Sequence, residues 1–248
     1  MPNTSATRTE ATCPHCGRPL PTFTIPALHG NGTITLHGAC DCEASVSEER
    51  DAARRERQDQ LSVAWCATGV PKKYRDVAPD PSLLDRLRDG GGLYLCGPRG
   101  TGKTTAACAA LKAYVARNTS RDTGWCSARF VSAPAWLDRM KDAYDRMGAS
   151  ADEEFGRAAG TGLLVLDDIG KFTSRVTDWA VGKLFRLVDE RYSEERPTVF
   201  TSQYDLAGLS VRLTVGDDSD TPDAIVSRIF ETCEQRRFDG PDRRLSRN

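Results

Sequence analysis

Residues 97–104 read Gly-Pro-Arg-Gly-Thr-Gly-Lys-Thr, the spacing G-x-x-x-x-G-K-T. The run Leu93-Tyr94-Leu95-Cys96 before it is short and apolar, and the stretch Thr104–Arg117 after it is alanine-rich with no Gly or Pro. A strand feeding a glycine turn and then a helix is the opening unit of an α/β fold. The glycines let the backbone curl so that several N–H groups converge, and the helix aims the positive end of its dipole at the same point. That geometry suits phosphate. The nucleotide contacts predicted are Gly97, Pro98, Arg99, Gly100, Thr101, Gly102, Lys103, Thr104 and Thr105. Lys103 would reach the β- and γ-phosphates of ATP, and the Thr104 hydroxyl would ligate magnesium.

Further strands are predicted at Leu93–Cys96, Arg129–Ser132, Leu163–Leu166 and Thr198–Thr201, with helices between them at Thr104–Arg117, Ala135–Arg146 and Thr177–Glu195. Alternation of this kind implies a parallel sheet covered on both faces. Asp167 follows Leu163-Leu164-Val165-Leu166, at the sheet edge where open α/β folds bind ligands, and is the predicted magnesium carboxylate. Asp168 beside it is the candidate base for an attacking water, the alternative being a turn-capping Asp pair. Gln203 ends the run Thr198-Val199-Phe200-Thr201-Ser202-Gln203 and is a candidate for bonding the γ-phosphate or that water. Arg228, on the amphipathic run Ala224–Phe230, is a candidate arginine finger for a neighbour's site, with Arg212 as its rival and a salt-bridged surface arginine as the plain alternative.

Cys13-Pro-His-Cys16 and Cys40-Asp-Cys42 bracket two alternating runs, Thr22–Ile25 and Thr33–Leu36, with Asn31-Gly32 between them, which predicts a β-hairpin. Four thiolates from Cys13, Cys16, Cys40 and Cys42 make a soft ligand set for one structural zinc, with His15 as a substitute ligand. The other five cysteines are scattered singly through stretches that read as buried elements, and are expected to be reduced core thiols. Lys and Arg number 34 against 35 Asp and Glu, so overall charge advertises neither nucleic acid nor a membrane, and any such partner must be met by a local patch. No run approaches the length of a membrane span, and Met1–Glu10 lacks a secretory pattern, so the expected location is cytoplasmic.

Several segments in a common order resemble the helicase-loader branch of the AAA+ ATPases, typified by DnaC and DnaI, with the insertion-sequence helper ATPase IstB as close kin. They are Gly69–Tyr74, Gly92–Leu95, Leu163–Gly170, Pro197–Ser202, Ser227-Arg228-Ile229 and Gly240-Pro241-Asp242-Arg243-Arg244, and the resemblance covers about residues 61–245. It implies Gln203 as sensor 1, where that branch usually carries asparagine, and Arg228 as the trans-acting arginine. It also implies a replicative DNA helicase and single-stranded DNA as partners, self-association through the AAA+ domain, and an N-terminal part that grips the helicase. Candidates for single-stranded DNA are Trp136, Arg139, Lys141, Tyr144 and Arg146, although helical spacing puts Trp136 and Met140 on one face, as core packing would.

The predicted architecture is therefore α/β: a P-loop AAA+ core with a parallel sheet between helices over 77–248, a helical linker over 45–76, and a small zinc-ribbon-like module over 1–44. The expected activity is hydrolysis of ATP by a helicase loader. A transposition helper ATPase, a small-molecule P-loop kinase and a nucleotide-gated adaptor are the competing classes.

Overall fold

The computed structural model describes residues 11–27, 32–87, 90–145, 149–173 and 175–243. Asn31, Arg146, Arg244 and the Met1–Glu10 segment lie outside them. The chain divides into two compact units, Met1–Asp59 and Gln60–Asn248.

In the first unit, β1 (Thr22–Pro26) pairs antiparallel with β2 (Thr33–His37). The register sets Phe23 opposite Leu36 and Ile25 opposite Ile34, so strand alternation gathers these four on one face, all exposed, and the threonines on the other. Helix α1 (Glu43–Ala67) begins in this unit and ends in the second, where Ala64 and Trp65 are buried. Lys112 lies over the Trp65 ring, and the indole donates to the carbonyl of Arg75 at 3.0 Å.

The second unit is a five-stranded sheet in the order β4-β5-β6-β3-β7, every neighbouring pair parallel. The strands are β3 (Gly92–Cys96), β4 (Ala128–Ser132), β5 (Leu163–Asp167), β6 (Thr198–Ser202) and β7 (Cys233–Arg237). The helices are α2 (Lys103–Asn118), α3 (Ala133–Asp145), α4 (Ala149–Ala159), α5 (Asp178–Ser193), α6 (Leu206–Leu213) and α7 (Asp220–Thr232).

Period-two alternation sends Leu93, Leu95, Leu163, Val165 and Val199 into one core with Leu111 of α2, and Tyr94, Cys96, Leu164, Leu166 and Phe200 into the other with Leu184 of α5 and Ile225 of α7. Both sheet faces are thus covered, which is why β3 and β5 are almost continuously apolar. The parallel sheet between helices matches the P-loop AAA+ fold read from the sequence. No helix among the described residues is long and apolar enough to cross a membrane.

Arg191, on α5, is 2% exposed and serves as a polar bracket. Its Nη1 donates to the carbonyls of Ala158, Ala159 and Thr161, its Nη2 to that of Pro197, and its Nε to the Thr198 hydroxyl. The guanidinium therefore satisfies carbonyls at the end of α4 while joining them to the entry of β6. Burial pulls its pKa down to about 9.

Candidate nucleotide site and thiol cluster

The phosphate loop stands between β3 and α2, where the strand order reverses across the β3–β6 pair. Ligands of open parallel sheets bind at such a switch point. Gly102, the residue before α2, has φ 104°, a left-handed conformation that a side chain at this position would strain. The Lys103 ammonium folds back to the carbonyls of Gly97 at 2.8 Å and Pro98 at 2.5 Å, which brings its charge into the loop. Thr101 donates to the Pro98 carbonyl, while Arg99 and Thr105 are exposed.

The acidic side of the site is built by β5 and β6. Asp167 ends β5, and its Oδ1 accepts hydrogen bonds from the Thr104 hydroxyl at 2.8 Å and the Thr201 hydroxyl at 2.7 Å. Burial pushes the Asp167 carboxyl above its ordinary range, against the lowering effect of Thr201 and Thr104. Its oxygen therefore sits beside the P-loop hydroxyl, which is the donor set that an oxygen-seeking magnesium ion takes. Asp168 follows in a left-handed conformation, φ 61°, which turns its side chain off the strand line. Its N–H donates to the Thr201 hydroxyl at 2.9 Å and its carboxylate pairs with Lys171 at 3.2 Å. Thr201 thus holds both aspartates, a role the sequence reading missed. Thr201 is one of three hydroxyl residues in the five-residue strand Thr198–Ser202, so nothing in the local sequence singled it out.

Gln203 is brought to the loop as well, its Oε1 accepting from Arg99 Nε at 2.7 Å. Gln203, Tyr204, Asp205 and Arg237 join Cys96, Gly97 and Pro98 around a cleft of about 290 Å³. Arg228 is not brought there. It lines a small pocket with Gly90 and Thr198, at the opposite, N-terminal ends of β3 and β6. Its guanidinium is paired with Asp189 at 2.7 Å and stacked over Phe185 and Tyr192. Arg212 lies over Phe172.

Of the DNA candidates, Trp136 is fully buried in the core and Arg139 is paired with Glu154 at 3.0 Å. Lys141 and Tyr144 instead line an open groove of about 350 Å³ with Phe172, Arg175 and Trp179. Tyr144 meets Trp179 edge-on, and its hydroxyl accepts from Lys183 at 2.8 Å.

In the first unit the sulfurs of Cys13, Cys16, Cys40 and Cys42 all lie within 4.8 Å of one another. Cys13 and Cys42 are 3.7 Å apart, Cys16 and Cys40 3.5 Å. Tetrahedral zinc–thiolate bonds of ~2.3 Å need sulfur–sulfur edges of about 3.8 Å, so the cluster fits a zinc module. Arg18 Nε donates to the Cys16 sulfur at 3.5 Å and pulls that thiol down to about 6. His15 is not part of the cluster, since its Nε2 meets Glu48 at 2.7 Å.

The chain is similar in fold to the crystal structure of the DnaC helicase loader, at 24% identity and TM-score 0.50 over 68% of this chain and all of that one. It is also similar to the crystal structure of DnaI, at 22% identity and TM-score 0.51 over 78% of this chain and 84% of that one. The ATP-binding protein of insertion sequence IS1162 from Pseudomonas fluorescens is 28% identical over 192 residues, spanning 73% of this chain and 76% of that protein. The family model described as IstB-like ATP binding protein matches residues 75–248. With the phosphate loop, its paired carboxylates and the parallel sheet in place, the chain belongs to the IstB-like ATP-binding protein family.

Proposed function

We propose that this chain is an ATP-hydrolysing helicase loader, acting in DNA replication by assembling on a hexameric replicative helicase and single-stranded DNA. The observation that carries the reading is the contact chain Thr104–Asp167–Thr201–Asp168, which joins the phosphate loop to two carboxylates at the sheet edge. Thr104 and Asp167 would hold magnesium, which supplies charge neutralisation at the β- and γ-phosphate oxygens. Lys103 neutralises the same phosphates. Asp168 accepts a proton from the attacking water, whose oxygen bonds to the γ-phosphorus as the bond to the bridging oxygen breaks and ADP leaves. Gln203 orients that water. Arg228, remote from its own loop, acts in a neighbouring subunit's site, which ties hydrolysis to assembly.

The aromatic and cationic groove of Lys141, Tyr144, Arg175 and Trp179 suits the bases and phosphates of a single strand. The thiol cluster, holding zinc, would stiffen a small module that docks a protein. A second reading, a helper ATPase of a transposition system, is favoured by the IS1162 relative. The two separate in one experiment. Immobilised protein is offered purified replicative helicase in one arm and transposase in the other, with ATP and then ADP. Nucleotide-dependent retention of the helicase supports loading, retention of the transposase alone moves the assignment to the second reading, and retention of neither refutes both.

A further inference from the structure

Beyond β7 the chain turns back across the phosphate loop. The N–H of Phe238 donates to the carbonyl of Cys96, the last residue of β3, at 2.7 Å, and the N–H of Arg243 donates to the carbonyl of Gly100 at 3.1 Å. Residues 238–243 are thus tied to the loop at both ends. Gly100 has φ 74°, and a Cβ added there would run into the Asp242 carboxylate. A Cβ on Gly102 would stand 3.2 Å from the Arg243 guanidinium. Asp242 is half-buried and Arg243 exposed. The strap therefore lays a carboxylate against the glycine loop that, with the start of α2, forms the anion-attracting part of the site.

We propose that this strap is a built-in competitor of the nucleotide, with Asp242 offering the phosphate loop an internal anion that ATP must displace. The proposal rests on the assignment of residues 97–104 to nucleotide binding and adds its regulation. Two anions cannot share one small positive site without repulsion, so the strap and the phosphates exclude each other. Affinity is then lowered by the fraction of molecules whose strap is open. A partner that draws the C-terminal segment away would load the site, and a filled site would release the segment.

The test compares wild type with Asp242→Asn, Asp242→Glu and Lys103→Ala, titrating each with a fluorescent ATP analogue and magnesium. A strap closed in about 80–95% of molecules predicts roughly 5- to 20-fold tighter binding by Asp242→Asn, with Asp242→Glu staying near wild type. Saturating nucleotide should also speed hydrogen exchange at the Arg243 amide. If Asp242→Asn binds as wild type does, or more weakly, while Lys103→Ala loses binding, the strap is refuted and the nucleotide site stands. If Lys103→Ala binds as well as wild type, the site assignment itself is wrong. Absence of binding by wild type and Asp242→Asn alike overturns both, and slower exchange at Arg243 overturns the strap.

Discussion

Replacing Thr201 by valine removes a hydroxyl while keeping the shape of the side chain. Thr201 is fully buried, donates to Asp167 at 2.7 Å and accepts from the Asp168 N–H at 2.9 Å. A hydrogen bond to a carboxylate contributes about 1.5–3 kcal/mol, and a buried N–H left without a partner costs about 1–3 kcal/mol. Asp167 keeps its bond from Thr104, which limits the first loss. The net expectation is a destabilisation of about 2–4 kcal/mol. For a unit of this size each kcal/mol moves the melting temperature by about 2–4 °C, so metal-free Thr201→Val should melt roughly 5–15 °C below wild type by calorimetry. Thr201→Ser keeps the hydroxyl and loses one methyl, about 1 kcal/mol. A valine variant melting within 2 °C of wild type, or a serine variant falling as far as valine, would refute the bridging role.

Asp167→Asn should stabilise the metal-free protein while weakening magnesium-dependent nucleotide binding. Burial holds this carboxyl above 3.8 in the folded chain, so the unfolded chain loses the proton first and stability falls as pH rises from about 3.8 through the folded value. The variant's advantage at pH 7 should therefore shrink toward pH 4 in melting curves, and a gap that widens there would contradict the burial argument. Protein purified without chelator should carry close to one zinc per chain, lost in the Cys40→Ser, Cys42→Ser double variant with nucleotide binding spared; metal-free wild type with an ordered hairpin would count against the site. Arg228→Ala and Lys103→Ala, each inactive in assembly-dependent hydrolysis, should regain partial activity when mixed, because an arginine finger contributes about 10³–10⁵ in rate and some junctions would pair an intact loop with an intact arginine. A mixture as inactive as its parts, beside an active wild type, would exclude action in trans.

The strands flanking the nucleotide site were legible because both sheet faces are covered, which makes Leu93–Cys96 and Leu163–Leu166 apolar at nearly every position. β7 was not. Its Glu234, Gln235, Arg236 and Arg237 sit on an edge strand with β3 as its one neighbour, so its formation depends on a ladder far away in sequence and not on its own pattern. The phosphate loop declared itself through spacing, since its chemistry is carried by consecutive residues. Thr201 stayed hidden because its importance arises only when β6 lies beside β5. Arg139 looked available to a strand of DNA until Glu154 paired with it, whereas Trp136 lies in the core, as its helical spacing with Met140 suggested. The approach of Asp242 to Gly100 joins residues 142 apart and left no trace in local pattern.

The Arg191 bracket bears on how the sheet is assembled in time. The groups it satisfies belong to residues 158–162 before it and 197–198 after it, so none of them is complete until α5 has been made and has docked. A fragment holding α4 and β5 alone would leave buried carbonyls without donors. A chain emerging from the ribosome therefore gains little by ordering that edge early, and the α4–β6 segment should close in one cooperative step once residue 198 is free to join it.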